Sequence, residues 1–281
     1  MVKGILLALI ITCCSAEIIH AQNFTIPDTI SLQSGNLTLR ALLWLPTGHG
    51  PFPTVIFCHG SYATDDTTHE PIIEASTLGP VFAGRGYIYL ALFRRGVGLS
   101  KNQGLNSANL MENAFKQNGQ DGRNEVQLQQ LETAQRQDML VGISYLISRS
   151  DIDRNRIALI GHSFGSSLAL LVAEHDSVLK AVIIFSGSVR NWNLSPQLRT
   201  RLINAVKNIT CPIMIIHAQN DYSTTPGYVL DSALNLLHKP HLLIIYPRFG
   251  STANQAHNLI FLSPRTWDAD VFKFLDENLR R

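Results

Sequence analysis

Residues 156–173 constrain this chain more than any other stretch. Residues 157–160 are aliphatic, Gly161-His162-Ser163-Phe164-Gly165 follows, and residues 166–173 are small and apolar. That succession predicts a buried strand, a tight strained turn and a buried helix, the local geometry that lifts one serine hydroxyl into a cleft. Gly161 and Gly165 suit the turn because a side chain at either place would collide with the neighbouring strand or helix backbone. Ser163 then sits at a helix N-terminus, where free N–H groups and the dipole favour developing negative charge. The pentad alone is weak evidence. The strand before it and the helix after it set it apart from an ordinary strand–glycine–helix connection.

The rest of the chain alternates in the same way. Short apolar runs at 53–58, 87–92, 157–160, 180–185, 212–217 and 241–246 read as strands. A longer, partly alternating run at 37–45 ends at Pro46, as an antiparallel edge strand does. Helical spacing appears up to Gly84, across 126–147, and at 196–207, 226–237 and 266–279. Runs apolar on both faces require helices on both sides, so the fold class is α/β: a doubly wound, mostly parallel sheet of about eight strands. Ligands in such sheets bind beyond the carboxyl ends of the strands. Residues 99–125, rich in Asn, Gln, Gly and Ser, show little periodicity and read either as a flap over the site or as a solvated insertion.

The N-terminus sets an expected compartment. Met1-Val2-Lys3 is a positive start, residues 4–11 are almost wholly apolar, and small residues follow to Ala16. The stretch is short for a membrane span and fits a signal peptide over 1–21, cleaved after Ala16 or Ala21, with an N-terminal anchor as the alternative. The expectation is a secreted or periplasmic protein with one domain over 22–281 and no stable membrane insertion after signal removal. Cys13 and Cys14 would leave with the signal, and Cys58 and Cys211 read as buried free thiols. The net charge of +2, without a Lys/Arg cluster, gives no sign of a nucleic-acid partner.

A serine hydroxyl is a poor nucleophile near neutral pH and needs a base, which in turn needs an acid to orient it. Between Ser163 and the last histidine the carboxylates are Glu174, Asp176, Asp221 and Asp231. The first two end the helix that Ser163 begins and point away from it; Asp231 lies inside a helix. Asp221 follows the strand at 212–217 and stands at the correct edge of the sheet, with an Asx-turn or a helix cap as its competing role. His257, on a small-residue loop past the strand at 241–246, is the candidate base. His238 and His241 flank the opposite end of that strand, and His217 belongs to a strand. For the oxyanion, the candidate donors are the backbone N–H groups of Phe164 and Ser61, with the Tyr62 hydroxyl as a further candidate. His59 reads as a structural hydrogen-bonding residue. Arg94, Arg95 and His162 are candidate substrate-binding residues; the two arginines alternatively anchor the 96–100 turn through backbone carbonyls.

These pieces resemble the α/β-hydrolase superfamily, in its dienelactone-hydrolase-like and prolyl-oligopeptidase (S9)-like branch. The resemblance is carried by His59-Gly60, by residues 93–100, by residues 151–157 leading into Gly161-His162-Ser163-Phe164-Gly165, by Asp221 and by His257. It implies a Ser163–Asp221–His257 triad, acyl transfer to water, and neither metal nor cofactor. Three features depart from the pattern. Dienelactone hydrolases proper carry cysteine where Ser163 stands, so lactone specificity does not follow. The oligopeptidases carry a β-propeller for which this chain has no room. Ala256 precedes the histidine where glycine is frequent. The expectation is a secreted serine hydrolase with an open cleft, acting on small or medium carboxylic esters as its small-molecule partners. An aminopeptidase-like or oligopeptidase-like amide hydrolase and a catalytically inactive binding protein on the same fold are the alternatives.

Overall fold

The computed structural model describes residues 26–63 and 70–279. The expected signal segment, with Cys13 and Cys14, lies outside them. Among the described residues the strands form one eight-stranded sheet in the order β1-β2-β4-β3-β5-β6-β7-β8. These are β1 (Asp28–Ser34), β2 (Leu37–Trp44), β3 (Phe52–Cys58), β4 (Ile88–Phe93), β5 (Ile152–His162), β6 (Leu179–Phe185), β7 (Ile213–Ala218) and β8 (His241–Tyr246). β1 and β2 pair antiparallel, as do β2 and β4; every other neighbouring pair is parallel. The result is the expected α/β-hydrolase sheet.

The apolar strands owe their composition to two cores. Successive residues of β3 alternate between faces: Val55 and Phe57 join one buried cluster, Ile56 and Cys58 the other. On one face, α1 (Pro71–Ala83) and the C-terminal helix pack Phe82, Trp267 and Phe272 against Trp44, Phe57 and Tyr89. On the other face lie α2 (Ser107–Glu132), α3 (Ala134–Ser148), α4 (Phe164–Ala173), α5 (Pro196–Asn208) and α6 (Thr225–Leu236). Every residue of α4 is buried, which explains a helix that is apolar or small all round rather than striped. Cys58 is buried and Cys211 half-buried, both as free thiols.

Three elements differ from the sequence reading. β1 was not expected: its alternation is mostly polar, with only Leu32 and Ser34 buried, because it is the sheet's outer strand. Residues 99–125 are not an irregular segment. After a short 3₁₀ turn at Gly98–Ser100, α2 runs from Ser107, capped by Asn106, whose side chain accepts from the N–H groups of Ala108 and Asn109. Gly119 (φ 64°, ψ −154°) breaks that helix in the middle, so its two halves do not share one apolar stripe and the periodicity is lost. The small-residue loop before His257 is likewise partly helical: α7 (Ala253–His257) opens with a reciprocal Thr252–Gln255 capping box. α8 (Leu259–Leu262) and α9 (Pro264–Leu279) complete the chain.

Candidate active site

β5 and α4 meet at Ser163, which holds φ at 54° in a conformation that L-residues rarely adopt. The glycines on either side make that turn feasible. A Cβ at Gly161 would lie 2.5 Å from the carbonyl oxygen of Gly165, and one at Gly165 would lie 2.0 Å from that of Cys58. The turn is tied down by Ser163 N–H donating to Phe185 O (2.9 Å) and by Ser166 Oγ, 2.8 Å from the same carbonyl.

The structure brings Ser163, His257 and Asp221 together from three strand ends. His257 Nε2 lies 3.0 Å from Ser163 Oγ, and His257 Nδ1 lies 3.1 Å from Asp221 Oδ1. Asp221 leaves β7 in a turn closed by its own N–H on Ala218 O, and its Oδ1 also accepts from Tyr222 N–H at 2.7 Å. Burial alone would raise the Asp221 carboxyl. The imidazoles of His217 and His257, with Ser186, outweigh burial and hold it well below the usual carboxylate range. His217 was assigned only to its strand on the sequence. Its Nδ1 in fact lies 3.5 Å from Asp221 Oδ2, so a second buried imidazole backs the acid. A spacing of four residues between a strand-end histidine and the acid of the next turn was the available signal.

His162 lines the cleft beside Ser163, and its imidazole is also engaged within the protein. Its Nε2 donates to the carbonyl of His257 (2.9 Å), and its ring packs between those of His257 and Phe261, at centroid distances of 5.0 and 4.9 Å. It therefore fixes the backbone that carries the imidazole.

The turn after β3 passes beside the serine: a Cβ at Gly60 would stand 3.6 Å from Ser163 Cβ. The N–H of Ser61 and that of Phe164, the first of α4, find no hydrogen-bond partner among the described residues. The Tyr62 hydroxyl does not fit the donor role, because it gives its proton to Glu74. Arg94 and Arg95 do not line the cleft. Arg94, 1% exposed, donates to the carbonyls of His59 (2.7 Å) and Gly60 (2.9 Å) and so clamps the turn from behind. Arg95 pairs with buried Asp138 on α3 through both carboxylate oxygens. Each guanidinium finds its acceptors inside the protein, so neither reaches out.

His59 has the structural role expected of it. Its Nε2 accepts from Arg94 N–H (3.1 Å) and its Nδ1 donates to Gly60 O (2.7 Å). Burial, and then the adjacent Arg94 charge, hold it neutral well below its ordinary value of 6.5. The unfolded chain takes a proton on this ring below that value and the folded protein does not, so acidification favours unfolding. One such group contributes a slope of up to about 1.4 kcal/mol per pH unit. Urea unfolding at pH 7 and pH 5.5 checks this: stability should fall at the lower pH, and by less in His59→Gln. An identical pH slope in the variant would contradict the buried neutral ring.

Ser163 and His257 open onto a cavity of about 120 Å³, lined also by Gly60, Ser61, Tyr62, Glu74, His162, Arg190, Asn254 and Asn258. A larger groove of about 520 Å³ between α2 and α5 holds no nucleophile. Among the described residues no group of three or more His, Cys, Asp or Glu side chains is arranged to hold a metal ion, and no helix is long and apolar enough to cross a membrane.

Known proteins place this arrangement in context. The fold is similar to that of the acylaminoacyl peptidase of Pyrococcus horikoshii, with a TM-score of 0.65 and 18% identity over 92% of this chain and 42% of that one. A puromycin-hydrolysing peptidase of Mycobacterium tuberculosis is similar at a TM-score of 0.65 and 16% identity, over 94% of this chain and 42% of its own. A Klebsiella pneumoniae protein provisionally described as a dienelactone hydrolase is similar at a TM-score of 0.63 and 17% identity, over 92% of this chain and 100% of its own. The chain thus spans 42% of the length of each of these two peptidases. No curated protein matches it. The sequence model of the dienelactone hydrolase family matches residues 39–257, from β2 to His257. This chain, a hydrolase by that kinship, belongs to the dienelactone hydrolase family.

Proposed function

We propose that the protein cleaves carboxylic esters with Ser163 as nucleophile, His257 as general base and acid, and Asp221 as the group that orients His257. The observation that carries this reading is the unbroken chain of contacts, 3.0 Å from Ser163 Oγ to His257 Nε2 and 3.1 Å from His257 Nδ1 to Asp221 Oδ1. As Ser163 Oγ attacks the ester carbonyl, its proton passes to His257 Nε2, and the Asp221 carboxylate stabilises the imidazolium. The tetrahedral oxyanion is met by the N–H groups of Ser61 and Phe164, the second favoured by the α4 dipole. Collapse of the intermediate expels the alcohol, which takes the proton from His257. Water, activated by the same imidazole, then releases the acid and regenerates Ser163.

Amide cleavage is the second reading, favoured by the likeness to chains described as peptidases. An ester suits this cleft better, because a good leaving alcohol needs less help than an amine and the cavity is small. Turnover of 4-nitrophenyl acetate and butyrate should exceed that of alanine and phenylalanine 4-nitroanilides by at least a hundredfold in kcat/KM. A protein that prefers the anilides is a peptidase. One that cleaves neither, and whose Ser163 peptide takes no fluorophosphonate, is not a serine hydrolase.

A further inference from the structure

Behind the turn that carries Ser61 lies a buried charge without a counter-ion. Arg94 directly follows β4 and is buried, and an arginine side chain keeps its charge inside a protein. The neighbouring Arg95 is paired with Asp138, and Arg201 with Glu132 and Glu174. Among the described residues no carboxylate pairs with Arg94. Its acceptors are neutral: Nη2 donates to the carbonyls of His59 and Gly60 at 2.7 and 2.9 Å, Nη1 donates to Cys58 Sγ at 2.9 Å, and Nε–H finds no acceptor. Burial pushes the Cys58 thiol up and outweighs the pull of Arg94, so the sulfur supplies no negative charge. An unpaired charge is costly to bury, and neutral donors would brace the turn without that cost.

The Gly60 carbonyl is where that charge acts. The backbone N–H of Arg94 can only donate, so the His59 Nε2 that faces it at 3.1 Å is an acceptor and the ring proton sits on Nδ1. Nδ1–H then meets Gly60 O at 2.7 Å, and two donors, one of them charged, converge on a single oxygen. That oxygen and Ser61 N–H are the two ends of one peptide group. Hydrogen bonds to a carbonyl draw electrons toward its oxygen, raise the double-bond character of the C–N bond and leave the N–H a stronger donor. Ser61 lines the cavity that holds Ser163. Phe164, the residue of the second donor, places its ring centroid 5.6 Å from the guanidinium carbon.

We propose that Arg94 is a positioning residue for the oxyanion: with His59 it polarises the Gly60–Ser61 peptide, so that Ser61 N–H binds the charge formed at the substrate carbonyl more strongly than an ordinary amide does. The proposal rests on the reading of Ser163 as nucleophile and of Ser61 N–H as an oxyanion donor. Arg94 acts without touching substrate, from outside the cavity. Its effect follows charge. The carbonyl of a bound ester is neutral and gains little from a polarised donor, so the interaction raises kcat rather than lowering KM.

A pair of ketones separates charge from packing. A trifluoromethyl ketone forms a C–O bond with Ser163 Oγ; the carbonyl electron pair moves to its oxygen, the serine proton passes to His257, and an anionic hemiketal results. The methyl ketone of the same chain binds unchanged and neutral. Arg94→Gln should lower kcat for 4-nitrophenyl butyrate about tenfold, less than the 10²–10³ typical of a donor removed outright, with KM held within about twofold. It should weaken the trifluoromethyl ketone by a similar factor and leave the methyl ketone alone. Arg94→Lys, which keeps the charge, should recover most of both losses. Equal losses in the two variants, a raised KM, or a loss shared by the methyl ketone overturns the proposal, because Arg94 would then merely brace the turn. So does an unchanged kcat in Arg94→Gln. NMR of the wild type tests the same claim without a substitution. Polarisation runs both ways along a chain of hydrogen bonds, so the hemiketal should move the Arg94 Nη–H and His59 Nδ1–H resonances downfield and the methyl ketone should not. Resonances that stay in place overturn the proposal whether or not the variants fold. A trifluoromethyl ketone that binds wild type and Ser163→Ala alike removes the serine reading, and this proposal falls with it. An adduct that forms at Ser163 but is indifferent to Arg94 removes the proposal alone.

Discussion

Ser163→Ala should lower kcat/KM for 4-nitrophenyl acetate by about four to six orders of magnitude, with the folded protein intact. The residual rate comes from donors and cleft that stay in place, because Ser61 N–H and Phe164 N–H belong to the backbone. Stability should change by less than about 1 kcal/mol, the usual range for losing one half-buried hydrogen bond. Alanine keeps the Cβ, and the Ser163 side chain makes no cap to α4; its loss is confined to the contact with His257 Nε2. The positive φ at this position offers a second measurement. Ser163→Gly removes the Cβ from a conformation that disfavours it, so its melting temperature should not fall, although it too is inactive. A strained serine whose replacement by glycine spares the fold holds its geometry for chemistry. Substantial activity in Ser163→Ala would move the nucleophile elsewhere and remove the mechanism.

The parts of this molecule that were legible in the sequence are those whose determinants are local. An aliphatic strand, two glycines around a serine and a small-residue helix report one another within a short window, and the backbone contacts at Ser163 are made by that window and the end of the neighbouring strand. The order Ser163, Asp221, His257 was readable because a parallel sheet brings the residues after each strand to one edge. What escaped depends on distant partners. Arg94 and Arg95 look alike in sequence, yet their acceptors are the His59–Gly60 carbonyls and Asp138. Tyr62 reads as a free hydroxyl until Glu74 on α1 is placed against it. α2 was obscured by one backbone angle at Gly119, and β1 by the polar face of an outer strand. Arg190 lies in a segment without periodicity, and only the folded turn after β6 places it over the Tyr222 ring, at the cavity that His257 also lines.

Gly165→Ala should be the most damaging single-methyl change in the protein. In an ordinary helix interior the exchange would favour alanine by about 1 kcal/mol. Here the added carbon would stand 2.0 Å from the carbonyl oxygen of Cys58 and 2.3 Å from that of His59. Neither carbonyl can retreat. Cys58 ends β3 in register with Gly161 of β5, and the carbonyl of His59 is clamped by Arg94 at 2.7 Å. α4 cannot move off instead, since all ten of its residues are buried between sheet and neighbouring helices. Overpacking a core by a methyl group typically costs about 1–3 kcal/mol, and a clash with fixed backbone on both sides belongs at or above the top of that range. Urea unfolding should therefore show a loss of at least about 3 kcal/mol, within the range of severe single substitutions, or the variant should fail to accumulate. Molecules that do fold should be slow as well, because the only relief is to push the turn carrying Ser61 N–H away from Ser163, and a lost oxyanion donor lowers the rate by about 10²–10³. Activity reduced in step with the folded fraction alone would mean the turn had not shifted. A variant within 1 kcal/mol of wild type would mean that the close approach of α4 to β3, on which the placement of the serine depends, is softer than its geometry indicates.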